Sequence, residues 1–326
     1  MTLARLFACA LALWALAPID ASADRRPKCA SRLPADASEA AVRIACEIPD
    51  KFQRDVMMTE IFGAALRRHD IAAWLTTDEL LKIGAFDRIP GEGAGWITTE
   101  RDDSIFVRYF HRIDDRYGVV AEATLRYEPW GVTDARSLLD TPIEQREADE
   151  DTLALLRARE LGMRQNLLNC NPSRPFNTAI LRLREDDQDS ILVFLMSGWD
   201  DHVVPLGGFH MLRISEDGTR TIDTYSQTPG CRNLTPADLD AAREIAIAHD
   251  ASAVPTPLHV FLALQYRKPL YVKTTQNALV WKIDGTTVSL LDASDRDARR
   301  LRDAFIAADR PLTDAPDDSN PAPDNR

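Results

Sequence analysis

Hydrophobic and polar positions divide the chain into a helical first part and a longer part built from short strands. Apolar residues recur at helical spacing over residues 50–86, and Thr77 with two carboxylates directly after it is typical of a helix start. This pattern predicts two consecutive helices, the second of which ends at Gly84. A shorter helical pattern covers residues 38–46.

From Gly95 onward the hydrophobic period becomes two, which indicates strands. Aspartate pairs at positions 102–103 and 114–115 stand where tight turns are required, so the pattern predicts a three-stranded meander. Its strands are expected at residues 96–99, 104–110 and 119–127. Gly91, Gly93 and Gly95 precede the first strand and are interpreted as a flexible loop, because a dinucleotide-binding motif needs a strand before its glycines and a helix after them.

The second half continues with strands and a few helices. An irregular connection is predicted at residues 129–141, and a charged helix follows at 148–163. Turns at 186–187, at Asp217-Gly218 and at Asp284-Gly285 separate the later strands. The pair Thr235-Pro236 indicates the start of a helix reaching residue 248. Strands are expected at residues 178–183, 191–196, 209–214, 221–224, 258–265, 270–273, 279–283 and 288–291. A closing helix is expected at residues 294–308.

These elements predict an α+β fold with N-terminal helices and a meander, followed by a mixed or antiparallel sheet domain with flanking helices. The length favours two domains, since a single small core rarely organises about 280 residues. The predicted N-terminal domain covers 24–145, a bridging helix covers 146–167 and the C-terminal domain covers 168–308. Residues 309–326, rich in proline and aspartate, are expected to form a disordered tail.

The first 23 residues predict export. One positive charge at Arg5, a short apolar segment and the ending Ala21-Ser22-Ala23 are typical of a cleaved signal peptide. The net charge of −12 disfavours nucleic acid and anionic membrane surfaces as partners, because both would repel the protein. The mature chain is therefore expected to be periplasmic or secreted, with no membrane span.

Four cysteines remain after export: Cys29, Cys46, Cys170 and Cys231. An even count in an exported chain favours disulfides, and four cysteines allow three pairings. Proximity in the sequence favours Cys29–Cys46 and Cys170–Cys231. No thiol would then be left to act as a nucleophile, which disfavours a Cys/His hydrolase.

A set of motifs in the second half resembles a family of exported proteobacterial proteins that has no assigned activity. The motifs are Cys170-Asn-Pro, Asn177-Thr178, residues 205–210, Cys231, residues 255–261 and residues 279–285. The resemblance covers roughly residues 168–292 and implies export and the extent of the C-terminal domain. The family has Gly-Gly-His at the start of the third strand, whereas this chain has Gly-Gly-Phe-His210. The shift by one position moves the histidine to the other face of the strand and weakens a site role for it.

Histidines supply one candidate site. His210, His249 and His259 are predicted at the ends of strands and helices, where they could converge with Asp200 to bind zinc and leave a position open for water. Each comes from a different element and no HExxH motif is present, so a structural role for each is the competing interpretation.

Other polar and aromatic groups offer weaker candidates. Ser197, the aspartates 200 and 201 and His202 are the residue types of a hydrolase triad, but they are adjacent on one loop and lack a nucleophile elbow. The aspartate pairs are better explained as turns than as calcium ligands. Trp96, Trp199 and Trp281 could line a ligand groove or fill the core.

The sequence therefore favours an exported module of the bacterial envelope that binds a protein or a small ligand through the C-terminal domain, with no cofactor. A zinc-dependent hydrolase using the late histidines is the alternative, so whether the protein is an enzyme is left open.

Overall fold

The computed structural model describes residues 28–31, 33–34, 36–87, 89–184, 189–228, 230–292 and 301. The predicted signal peptide, the turn at 186–187, the tail and, apart from Leu301, the closing helix lie outside them. The described part contains helices α1 (Glu39–Glu47), α2 (Asp50–Lys82), α3 (Glu150–Met163), α4 (Pro236–Ala241) and α5 (Pro257–Tyr266). Short 3-10 helices cover Lys28–Ala30 and Ile143–Gln145.

Three four-stranded sheets contain most of the strands. The first is antiparallel, in the order β1 (Glu92–Arg101), β2 (Ser104–Ile113), β3 (Arg116–Tyr127) and β4 (Trp130–Ser137). The second is also antiparallel, in the order β5 (Asn177–Leu183), β6 (Ser190–Met196), β8 (Phe209–Ser215) and β9 (Thr221–Thr228).

The third sheet is mixed, because its first pair is parallel and the others are antiparallel. Its order is β11 (Ile245–His249), β12 (Leu270–Thr274), β13 (Leu279–Asp284) and β14 (Thr287–Leu291). A small antiparallel ribbon joins β7 (Val204–Pro205) to β10 (Asn233–Leu234). The predicted α+β class is thus confirmed.

The two helices predicted over residues 50–86 are wrong: α2 runs without a break for 33 residues. Thr77 does not cap a second helix, because its hydroxyl donates to the carbonyl of Ala73 at 2.7 Å, one turn earlier. Thr76 does the same to Ala72 at 2.6 Å. Gly84 lies just beyond the helix end with a φ of +67°, as the sequence predicts.

Three further predictions of local structure are wrong, each for its own reason. The connection predicted at 129–141 contains β4, an exposed edge strand whose few apolar residues hide its pattern. The helix predicted up to residue 248 ends at Ala241, because Ile245 and Ile247 alternate into β11 and pair with β12. The strand predicted at 258–265 is α5: a continuous apolar segment fits a buried helix as well as a strand.

The long helix α2 packs against elements from both predicted domains. Phe52, Val56 and Leu66 share a core with α5 and the second and third sheets, whereas Ala72 and Leu80 pack with the first sheet. Buried Glu60 accepts from the backbone N–H of Val288 at 2.7 Å and pairs with Arg43. The predicted division into two domains stays a prediction.

Gly63 permits the close crossing of α2 and α5. A Cβ atom at this position would lie 2.7 Å from the Val260 Cγ1 and 2.8 Å from the Pro257 carbonyl oxygen. Gly63→Ala should destabilise the protein by about 1–3 kcal/mol, because overpacking outweighs the roughly 1 kcal/mol by which alanine favours a helix. Urea unfolding checks this, with Gly131→Ala as the control, since no atom lies within 4 Å of its added Cβ. An unchanged midpoint for Gly63→Ala would show that the two helices can separate at no cost.

The described helices include none that combines the length and the apolar composition needed to cross a bilayer.

Candidate functional site

Both predicted disulfides are present. Cys170 and Cys231 are bonded with a Cα–Cα distance of 5.3 Å, and Cys29 and Cys46 with one of 5.1 Å. The first of these bonds joins the chain entering β5 to the chain leaving β9, the two edge strands of the second sheet. It therefore fixes the loops at one end of that sheet.

The predicted zinc ligands are distributed over different parts of the fold. His249 was expected at the end of a helix, but it ends strand β11. His259 was expected at the start of a strand, but it lies in the first turn of helix α5. Both predicted positions are wrong. Their rings are nonetheless in contact, edge to face, with centroids 4.8 Å apart. The sequence grouped these two residues with His210 and Asp200 as possible zinc ligands, but it placed them on the wrong elements.

His210 and Asp200 are engaged elsewhere. His210 lies in the second sheet, where its Nε2 is 2.8 Å from the Leu168 carbonyl oxygen and its Nδ1 is 3.1 Å from the Ser226 hydroxyl. No group of three or more His, Cys, Asp or Glu side chains suited to a metal ion occurs within the described residues. Of the four proposed ligands, the fold places only His249 and His259 in contact. The zinc hypothesis stays a prediction.

The histidine pair is deeply buried. Burial lowers the pKa of His249 to about 4, although Asp250 nearby raises it slightly. The pKa of His259 lies well below its ordinary value, mainly because the ring is buried and secondly because His249 is its neighbour. The Thr256 backbone N–H donates to His259 Nδ1 at 2.9 Å, so the neutral ring carries its proton on Nε2. Both rings are therefore uncharged at neutral pH.

The residue types of a triad around Ser197 do not assemble into one, in agreement with the interpretation as a polar loop. The Ser197 hydroxyl accepts from the Cys170 backbone N–H at 2.9 Å and donates to the Gly208 carbonyl at 3.0 Å. His202 is exposed on the following loop. Ser197 thus links the disulfide loop to β6 and β8, which is a structural role. The aspartate pairs at 102–103 and 114–115 form the predicted turns.

The three tryptophans considered as groove or core residues lie in different environments. Trp281 is fully buried, packs edge to face on Phe52 and donates to Thr274 Oγ1 at 3.1 Å. It fills the core, which was one of its two predicted roles. Trp96 of β1 and Trp199 after β6 instead line one cavity of about 290 Å³, although they come from different sheets. We call this cavity the aromatic cleft; its lining residues are Trp96, Arg159, Arg174, Pro175, Phe176, Asn177, Gly198 and Trp199.

The loop that carries Trp199 is held by Asp200. Its carboxylate accepts from the backbone N–H groups of His202 and Val203 at 2.8 and 2.9 Å and from the Asn171 amide at 3.0 Å. These hydrogen bonds, led by that of Asn171, lower the Asp200 pKa to about 2. Trp199 itself remains 51 % exposed. A rigid loop therefore presents a large indole to solvent.

Arg159 of α3 lies at the junction of the first and second sheets. Its Nε donates to Thr178 Oγ1 of β5 at 3.1 Å and its Nη1 to the Ala94 carbonyl of β1 at 3.1 Å. Its guanidinium also lies 5.7 Å from the centre of the Trp96 ring. Burial lowers its pKa, and Glu160 partly offsets this.

The same side chain, Arg159, also lines a second cavity of about 290 Å³, which we call the charged cleft. Its other lining residues are Glu92, Gly93, Ala94, Arg112, Glu160, Met163 and Arg164.

Gly95 provides the space for Arg159. It lies inside β1 with a φ of +91°, next to a bulge, and a Cβ there would lie 2.7 Å from the Arg159 Nε. The predicted flexible loop is thus wrong for Gly93 and Gly95, which belong to the strand. Sequence reasoning missed Arg159 because nothing in a charged helix distinguishes one arginine from the next; the glycines before Trp96 were the only available signal.

Comparison of the chain with family models, with curated proteins and with solved structures finds no match.

Proposed function

We propose that the protein is an exported binding module of the bacterial envelope, and that a small ligand binds in the aromatic cleft. The observation that carries this proposal is the convergence of Trp96 and Trp199, which are far apart in sequence, on one open cavity. The indole of Trp199 is 51 % exposed and supplies a large contact area to a ligand. The volume of about 290 Å³ is at the lower end of ligand sites and suits a single ring with short substituents.

Export is supported by two independent features. The first 23 residues have the composition of a signal peptide. Two disulfides indicate an oxidising compartment, since they rarely persist in a bacterial cytoplasm. The periplasm or the exterior is the location that agrees with both.

Trp199→Ala should weaken ligand binding at least tenfold while leaving the fold intact, because the indole is exposed and contributes contact area instead of core packing. A defined panel of monosaccharides, dipeptides and aromatic acids with their amides, screened by saturation-transfer NMR, would identify binders. Isothermal titration would then give their affinities.

Trp74→Ala is the matched control, because Trp74 is 54 % exposed on α2 and does not line the cleft. Equal losses in the two variants, or a panel in which nothing binds the wild-type protein, would contradict the proposal.

A further inference from the structure

We infer that the ligand of the aromatic cleft carries a carboxylate, and that Arg159 binds it. This inference rests on the proposed function and specifies the chemistry of the ligand. It concerns a group that is distinct from the tryptophans, so the two can be tested separately.

The first step is the unused hydrogen-bonding capacity of Arg159. A guanidinium has five N–H donors, and two hydrogen bonds are formed here, to Thr178 and Ala94. Within the described residues no carboxylate lies within ion-pair distance of it. Glu160 favours the charge of Arg159 but forms no ion pair with it, so an anion that reaches the remaining donors of this partly buried group would stabilise it further.

Other arginines of the molecule show how such groups are otherwise accommodated. Arg67 is paired with Asp70 at 3.0 Å. Arg146 forms no ion pair within the described residues, although Glu144 lies near enough to favour its charge. It donates to the carbonyls of Thr141 and Val119 and contacts His111, so it is enclosed by acceptors. Arg159 differs from both because it borders two open cavities.

The second step is the identity of the anion. A carboxylate can accept from the guanidinium N–H groups that Thr178 and Ala94 leave free. Arg159 itself lies over the Trp96 ring, so a ring attached to that carboxylate would pack on the exposed indole of Trp199 in the same cleft. Arg174 adds a second cation to the cleft, although it lies 3.8 Å from Asp200 and is partly neutralised by it. The Asn177 amide already donates to the Asp70 carboxylate at 3.0 Å. The net charge of −12 makes such a local cation the main attraction for an acidic ligand.

The test compares three probes that share a ring and differ in the charged group: phenylacetate, phenylacetamide and phenyl phosphate. Wild-type protein at neutral pH should bind phenylacetate at least tenfold more tightly than phenylacetamide in isothermal titration or NMR titration. Because this comparison uses the unmodified protein, it does not depend on how any variant folds.

Variants then assign the preference to one residue. Arg159→Gln should abolish it, whereas Arg157→Gln, on the same helix but paired with Glu150 at the surface, should retain it. Loss of the preference in Arg174→Gln but not in Arg159→Gln would overturn the assignment to Arg159.

The outcomes separate this inference from the proposed function. Equal binding of phenylacetate and phenylacetamide, both weakened by Trp199→Ala, would overturn the carboxylate but keep the cleft as a binding site. Tighter binding of phenyl phosphate than of phenylacetate would overturn the choice of carboxylate. If none of the three probes binds while an uncharged class of the panel, the monosaccharides or the amides, does, the inference fails alone; if nothing binds, both fail.

Discussion

Replacing Cys170 and Cys231 by serine is expected to destabilise the protein by about 4 kcal/mol. The bond closes a loop with a sequence separation of 61, and the loss of its constraint on the unfolded chain gives this magnitude. The loop that carries Trp199 should also loosen, because Asn171, next to Cys170, donates to Asp200 and to the Gly198 carbonyl.

Urea unfolding of oxidised wild-type protein and of the double variant measures the first effect, and ligand affinity at the aromatic cleft measures the second. Cys29→Ser with Cys46→Ser is the comparison, since that bond has a separation of 17 and the same relation gives about 3 kcal/mol. A loss below 1 kcal/mol for the 170–231 pair would mean that packing alone holds the loops at this end of the sheet.

Acidification from pH 7 to pH 5 is expected to reduce stability by about 2 kcal/mol through His249 alone, with a further loss from His259. The pKa of each ring is lower in the folded protein than the ordinary value of 6.5. The unfolded chain therefore binds more protons, and stability present above pH 6.5 is lost as pH falls towards 4. Three carboxylates have pKa values of about 2, so they lose their contributions to stability mainly below pH 4; they are Glu100, Asp200 and Asp217.

His249→Gln isolates the effect. This variant should lose less stability between pH 7 and pH 5 than the wild-type protein, whatever its stability at pH 7. His202→Gln is the matched control, because His202 is exposed, and it should keep the wild-type dependence. Parallel curves for His249→Gln and the wild-type protein would refute a role for the buried pair in acid sensitivity.

Local patterns in the sequence predicted most of the fold, and the failures have different causes. The described hairpin turns, both disulfides and the antiparallel strands around them follow from residue type and spacing alone. Residues 245–249 could not be assigned in this way, because β11 is a strand through its pairing with β12. Residues 258–265 do follow a local helix signal, since Thr256-Pro257 begins α5 as Thr235-Pro236 begins α4, but the continuous apolar segment after it fits a strand equally well.

The candidate site was predictable only in part. Trp96 and Trp199 stood out as large aromatics at strand ends, which predicted either a groove or the core for them. Their meeting in one cavity depends on how β1 and β5 approach each other. Arg159 could not be selected from the sequence, since its importance comes from its position between those strands.

The continuity of α2 determines when the protein can finish folding. The first half of this helix appears early in synthesis, yet its partners α5 and Val288 lie more than 190 residues later. An export apparatus that delivers the chain from its N-terminus would hold that apolar surface uncovered until almost the whole protein had emerged. Maturation should then occur in one late step, and protection of the nascent chain during transit matters more here than in a protein whose domains close one after the other.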